Sequence, residues 1–346
     1  SGKTINFLSI GDSILLGAGG QFLLDPTDVV IDSAMASGFE GMLDGGTNVD
    51  VTTASGGADD GDITVIANIQ VPINNAGRQG VLTLTADRDI IVDGGVVIQN
   101  LQEDFAPGET VFNFQAGRNM TLNGEVRHSG TNGETGRGSI LLTAGGDLLV
   151  NNVTVDSNGG SLIVDANQVT LDGLSGNFSA GLIGESTANI DITAPSGVTF
   201  NGGNIQSYGG ADIFIDTGLL LNNTGATAIA RDTLSESFYA IRLPNPSDNG
   251  AGTNHIYNGI QSGARALFNV SDLDPVKIAG ISGNRYYYNM QPTVNVRALD
   301  GAKVYGNTFN LLTGGPAVSV DTGSFVPVPL GNPFLQDTTA NTLNLT

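Results

Sequence analysis

The chain has 346 residues, with 34 Asp plus Glu against 13 Lys plus Arg, a formal net charge of -21 and no cysteine. Such an acidic surface repels nucleic-acid phosphates and anionic membrane headgroups, and the missing thiols exclude disulfides, thiolate metal sites and cysteine nucleophiles. Fifty glycines beside 40% hydrophobic and only 14% charged residues describe a chain of many turns and much apolar strand rather than a disordered one.

The first residues, SGKTINFLSIGDS, hold neither an initiator Met nor the apolar h-region of a signal peptide, and read as part of something longer. No apolar run approaches the ~18 residues of a membrane span, so direct membrane insertion is not expected. QFLLDPTDVVID follows from Gln21, with Asp25, Asp28 and Asp32 spaced as three carboxylates on one helix face would be. Pro26 and the run Val29, Val30, Ile31 favour strands instead. FLL and VVI then read as strands and DPTD as the corner between them, with Asp25 and Asp28 accepting backbone donors.

A Gly-rich loop, ASGGADDGDIT, places Asp59, Asp60 and Asp62 together. These are hard oxygen ligands and a candidate calcium site, although the spacing matches no defined loop motif and turn chemistry explains them as well.

From Val81 a loose repeat takes over: VLTLTADRDIIVDGGVVIQ, VFNFQAGRNMTLNGEVRHSG, ILLTAGGDLLVNNVTVDSNG, SLIVDANQVTLDGLSGN, NIDITAPSGVTFNGGNIQSYGG and DIFIDTGLLLNNTG. Each unit is a short alternating strand, a polar link, a second alternating strand, then Asn or Asp with Gly at a turn. The last apolar residues before that turn, Val92, Leu122, Val150, Leu171, Phe200 and Leu221, are 21 to 30 residues apart. Insertions such as EDFAPGE and SGTNGETGRG belong on the surface. Alternation puts Leu82 with Leu84, Phe112 with Phe114, Leu162 with Val164, Ile190 with Ile192 and Ile213 with Ile215 on one face. One unit cannot bury that face alone, whereas stacked units bury a continuous column. Gly, Asn and Asp interrupt every candidate helix, so none of ordinary length is expected. Asn151 with Asn152, and Asn222 with Asn223, read as internal side-chain ladders at turns; His128 reads as a surface or turn residue.

The predicted fold is therefore all-β: a right-handed parallel β-helix of eight or nine coils from about residue 5, with residues 1–235 forming the rod. A sandwich or propeller fits the links and the period less well. Around Arg231 the unit is lost, and residues 236–293 read as an irregular β-rich cap or junction covering the last coil's open edge; His255 lies here as another surface or turn residue. Within it GNRYYYNMQP offers Arg285, Tyr286 and Tyr288 as a candidate carbohydrate contact, with Tyr286 and Tyr288 on one strand face and Tyr287 on the other. Aromatic packing that seals the rod is the competing reading. Residues 294–346 read as a partial β module or a segment that wraps back on the rod.

SILLGAGGQFLLDPTDVVID, LTLTADRDIIVDGGVVIQ, GNRYYYNMQPTVNV and RALDGAKVYGNTF resemble sections of the large filamentous-haemagglutinin-like adhesins of Gram-negative bacteria. In that family a phrase like LLDPTDVVI opens a β-helical section, and one like YYYNMQPTVNVRALDGAKVYG marks the handover to small immunoglobulin-like modules. Here GNTFNLL follows Tyr-Gly in place of the family's usual Asp or Pro, which leaves the module's completeness open. The resemblance implies a secreted, surface-displayed adhesin exported through an outer-membrane two-partner-secretion transporter. Its tasks would be cell-cell, biofilm-matrix or host attachment, through an extracellular polysaccharide or a cell-surface receptor.

The enzymatic alternative is a polysaccharide-binding or polysaccharide-cleaving β-helix, which needs two carboxylates about 5 to 9.5 Å apart. Asp87 and Asp89 are the candidates if they share a strand face with Arg88 opposite. No GxSxG, P-loop, CxxC or HExxH motif accompanies them. The expectation is a non-enzymatic rod with no cofactor apart from the calcium candidate.

Overall fold

The computed structural model describes residues 20–24, 27–53, 61–72, 80–101, 109–128, 138–173, 176–180, 188–231 and 237–244, with short stretches at 255–256, 260, 266–268, 273, 284–289, 296–298 and 318–320. Its strands follow one another around a triangle. The first coil is β1 (Gln21–Leu24), β2 (Val29–Ile31) and a helix, α1 (Ser33–Asp44). The second is β3 (Asn48–Thr52), β4 (Ile63–Val65) and β5 (Ile69–Val71), the third β6 (Leu82–Ala86), β7 (Ile90–Val92) and β8 (Val97–Asn100). The fourth is β9 (Thr110–Ala116), β10 (Met120–Leu122) and β11 (Glu125–His128). In the fifth and sixth, β12 (Ser139–Asn151) and β14 (Leu162–Asp172) run unbroken across two faces, followed by β13 (Thr154–Asp156) and β15 (Asn177–Ala180). The seventh is β16 (Asn189–Ala194), β17 (Gly197–Asn201) and β18 (Asn204–Ser207), the eighth β19 (Asp212–Thr217), β20 (Leu220–Asn222) and β21 (Ile229–Arg231).

Every strand-to-strand pairing between these coils is parallel. The first and second faces belong to one 18-stranded sheet, because β12 and β14 turn the corner between them, and the third is a separate 7-stranded sheet. This is the all-β parallel β-helix that the repeats predict. Its register runs Val49, Leu82, Phe112, Ile140, Leu162, Ile190, Ile213, Tyr239 up the first face. All eight are buried, as are their partners two residues on, from Val51 through Ile241. Burying each such side chain contributes roughly 1.5 to 3 kcal/mol.

Two details of the sequence reading change. Val92, Leu122, Val150, Leu171 and Phe200 do share one column, but its next member is Asn222 and not Leu221. Asn222 can sit inside because it is satisfied there: its Oδ1 accepts from the N–H groups of Thr224 and Gly225, and its Nδ2 donates to the Gly225 carbonyl.

The second correction is α1, where no helix was expected. Asp32 caps it, with Oδ1 accepting from the N–H groups of Ala34 and Met35 at 3.0 Å each. Met35, Ala36, Phe39, Met42 and Leu43 form the buried stripe, whose burial exceeds the ~1 kcal/mol cost of each interior glycine. The helix takes the place of the third-face strand in the first coil, where Glu40 Oε1 accepts from the N–H of Gln70 on β5 at 2.6 Å. It thereby covers the starting edge of the third sheet.

Beyond Arg231 the first two faces continue. β22 (Tyr239–Leu243) extends the first face and β23 (His255–Ile256) the second. β24 (Ala266–Phe268) precedes β25 (Arg285–Tyr288) in the chain, yet β25 pairs with both β22 and β24 and lies between them. A separate antiparallel pair, β26 (Val296–Ala298) and β27 (Val318–Val320), lies outside the coils' sheets.

Candidate functional site: the polar corners and the aromatic strand

The corner between the first and second faces carries a ladder. Just before each second-face strand stands Asp28, Asp62, Asp89, Asn119 or Asp147, and the side chains of the first four reach the backbone of the next coil. Asp28 Oδ1 accepts from the N–H of Asp62 at 2.8 Å, Asp62 Oδ1 from Asp89 at 3.2 Å, Asp89 Oδ1 from Asn119 at 3.0 Å and Asn119 Oδ1 from Asp147 at 3.0 Å. Arginines clamp two rungs: Arg88 pairs with both oxygens of Asp62, and Arg118 with both oxygens of Asp89. The Arg118 hydrogen bond holds the Asp89 carboxyl below the usual carboxylate range, against the opposing effect of burial and with help from the Asn119 N–H.

This geometry reassigns the carboxylates singled out in the sequence. Asp62, the described member of the calcium candidate, has both oxygens engaged by Arg88; Asp59 and Asp60 lie outside the described residues, as does Asp25. Asp87 and Asp89 do not share a strand face. Residues 87–88 form the bend between β6 and β7, which leaves Asp87 exposed and Asp89 buried. A lowered pKa is the opposite of what a general acid needs.

The corner between the second and third faces carries a second polar row: Asn123, Asn151, Asp172 and Asn201. Asn151 Nδ2 donates to Asn123 Oδ1, and Asn201 Nδ2 to Asp172 Oδ1, each at 2.8 Å. Of the asparagines expected to form internal ladders, only Asn151 joins this row, and the row lies on the outer surface rather than inside. Asn152 lies beside it in the left-handed region with φ 55, while Asn222 is internal and Asn223 exposed.

His128 is a further correction. It ends β11 on an inward-facing position, fully buried opposite Asn100, with Nδ1 3.0 Å from the Asn100 carbonyl oxygen. Burial pushes its pKa down to about 4, opposed by the Asn100 hydrogen bond. Alternation along Glu125–His128 marks this position as inward, although Ser129 and Gly130, residue types common in turns, follow it in the sequence. His255 falls in β23, where only the backbone is described.

The aromatic strand alternates as expected. Tyr286 and Tyr288 point inward, fully buried, with rings 6.4 Å apart and 13° from parallel. Tyr286 Oη donates to the Ile260 carbonyl at 3.0 Å. Tyr287 points the other way, into a small buried cluster with Phe214 and Ala240 that Phe238 and Leu273 pack against. Because both inward rings are enclosed, they act in packing and present no face to a sugar; Arg285, beside them, is half-buried.

The sequence reading missed Asp191. It stands outward on β16 between Ile163 of β14 and Phe214 of β19. No hydrogen bond or ion pair reaches its carboxylate among the described residues, and burial pushes its pKa up to about 6. Its signal was an Asp whose register neighbours on the adjoining coils, Ile163 and Phe214, are aliphatic and aromatic.

Among the described residues, no group of three or more His, Asp or Glu side chains is placed to hold a metal ion, and no helix is long and apolar enough to cross a membrane. No family model, curated protein or solved structure matches the chain.

Proposed function

We propose that this chain is the rod segment of a secreted bacterial surface adhesin, which holds attachment surfaces away from the cell and mediates cell-cell, biofilm-matrix or host attachment. The observation that carries the reading is the unbroken in-register stack of eight coils. Each coil adds about 4.8 Å of length, giving a rod on the order of 40 Å. Asx and Arg–Asp rungs tie successive coils at the corners, a construction suited to stiffness. The acidic surface keeps such a rod soluble and discourages nonspecific contact. The phrases that resemble filamentous-haemagglutinin-like adhesins add the expectation of an extracellular location and export through an outer-membrane transporter.

The test displays the parent protein on bacteria with residues 20–231 replaced by an unrelated rod of equal length. Loss of attachment is expected; full attachment would mean that the segment is a spacer with no adhesive surface.

One observation favours a second reading, polysaccharide cleavage. Asp191, with its pKa near 6, has the protonation behaviour of a general acid, and Asp165 is exposed on the neighbouring strand, two residues beyond Asp191's partner Ile163. Depolymerisation of acidic or neutral polysaccharides that disappears in Asp191→Asn would replace the rod reading with an enzymatic one.

A further inference from the structure

The three faces of the rod differ in charge. Outward positions of the first face include Asp50, Asp165, Asp191, Asp216 and Arg242, and those of the third include Glu125, Arg127 and Asp156. On the second face, one residue per rung points outward between β7 and β20: Ile91, Thr121, Leu149, Thr170, Thr199 and Leu221. None is charged, in a chain of net charge -21, and all are half-exposed. The amide row of Asn123, Asn151 and Asn201, with Asp172, runs along one margin of this strip. Where the margin passes the third to fifth coils it opens into a groove of about 580 Å³ lined by Gly94, Gly95, Asn123, Asn151 and Asn152, with Glu125 as its one charged residue. The opening exists because Gly95, at φ 79, has no side chain there, and Gly124 must be glycine: a Cβ would come within 2.6 Å of the Val96 carbonyl.

We infer that this strip binds a linear, uncharged polysaccharide lying along the rod. This rests on the attachment reading above and names its ligand class. Five rung spacings of about 4.8 Å give a strip roughly 24 Å long and, at three residues of about 3.3 Å, roughly 10 Å wide. That is some 250 Å² of plan area, far below the ~800 Å² per partner of a stable protein interface, so a second copy of the rod is a poor occupant. An extended sugar chain fits the width, and the rung spacing is comparable with the length of one pyranose ring. Thr methyl groups, Ile91, Leu149 and Leu221 would meet the C–H faces of the rings, while the margin amides exchange hydrogen bonds with hydroxyls. The surrounding negative charge excludes anionic polymers and leaves neutral ones.

The test is affinity electrophoresis of the full chain through gels containing hydroxyethyl cellulose, glucomannan or xyloglucan, with polygalacturonate as the anionic comparison. At least one neutral polymer should retard the chain and polygalacturonate should not. Thr121→Arg with Thr170→Arg should weaken that retardation about tenfold, whereas Thr143→Arg with Thr193→Arg, exposed positions on the first face, should leave it unchanged. Asn151→Ala with Asn201→Ala should weaken it too, and covers the case in which the arginine pair disturbs folding, which circular dichroism would reveal. The inference is overturned if no neutral polymer retards the chain, if the strip and margin variants are retarded like wild type, or if the strip variants instead abolish a dimer seen by sedimentation. Cells that still attach through this segment while the gels show no retardation would overturn the ligand class and leave the attachment reading standing.

Discussion

Asp89 and Asp191 are the same residue type on the same rod, and the fold moves them in opposite directions. Asp89 stands at a corner where Arg118 and the Asn119 N–H converge on its carboxylate, and its pKa falls. Asp191 stands on a face between Ile163 and Phe214 with no such donors, and its pKa rises to about 6. Both lose water to the protein, so burial alone does not decide the outcome; the presence of a donor on the next coil does. In a solenoid this means that position within the coil assigns the role. Carboxylates at the first corner hold coils together, and one on a face strand stores unfavourable charge at neutral pH.

The largest expected effects are on pH dependence. With a folded pKa raised from 3.8 to about 6, Asp191 contributes stability that is fully present below pH 4 and lost as pH rises through 6. Asp191→Asn should therefore stabilise the chain at pH 7.5 by on the order of 3 kcal/mol and not at pH 4, as measured by urea unfolding at the two values. Equal shifts at both would break the comparison with Asp89.

His128 has the mirror-image sign. Its folded pKa is depressed from 6.5 to about 4, so its contribution is complete above pH 6.5 and lost as pH falls through 4. The cost across that window is also on the order of 3 kcal/mol, and this rise of stability with pH should vanish in His128→Leu, leaving the opposite slope of Asp191. Because the Asp191 and His128 effects oppose each other between pH 4 and 6, the wild-type curve should be flatter there than in either variant.

Smaller effects are expected along the ladder. Asp89→Ala strips an acceptor from the Asn119 N–H and a partner from Arg118, and should cost about 2 kcal/mol at neutral pH. The Asp89 part of that difference should disappear as pH falls below the wild-type carboxyl's lowered pKa. Asn119→Ala should cost only about 1 kcal/mol, since the Asp147 N–H it leaves behind is exposed to water. Chemical denaturation of the two variants ranks them, and a larger effect for Asn119 would contradict the role given to the arginine clamp.

The coil architecture was legible because its cause is local. Leu82 with Leu84, Phe112 with Phe114 and Ile213 with Ile215 alternate within single strands, and alternation reports directly on a buried face. Register was harder to read, because pairing depends on the neighbouring coil: Leu221 is the more apolar choice, but Phe200 pairs with Asn222. The helix was hidden by Gly38 and Gly41, whose cost is offset by packing against β2, β3 and β5. The corner ladder did leave a trace, an Asp or Asn immediately before Val29, Ile63, Ile90, Met120 and Leu148. That trace is visible only once the units are aligned by strand position instead of by turn composition. The role of Asp191 depends on which residues lie above and below it, and no single unit carries that information.

Stacking in this register is what every assignment above depends on, and the absence of native cysteine allows a direct test. Thr170 and Thr199 are paired on adjacent rungs of the second face, about 4.8 Å apart and within the Cα separation of 4.4 to 6.8 Å that a disulfide spans. Under mild oxidation, the purified chain carrying Thr170→Cys and Thr199→Cys should close a disulfide nearly quantitatively, while Thr170→Cys with Asn201→Cys should not. Equal closure of both pairs, or of neither, would contradict the in-register coil stack.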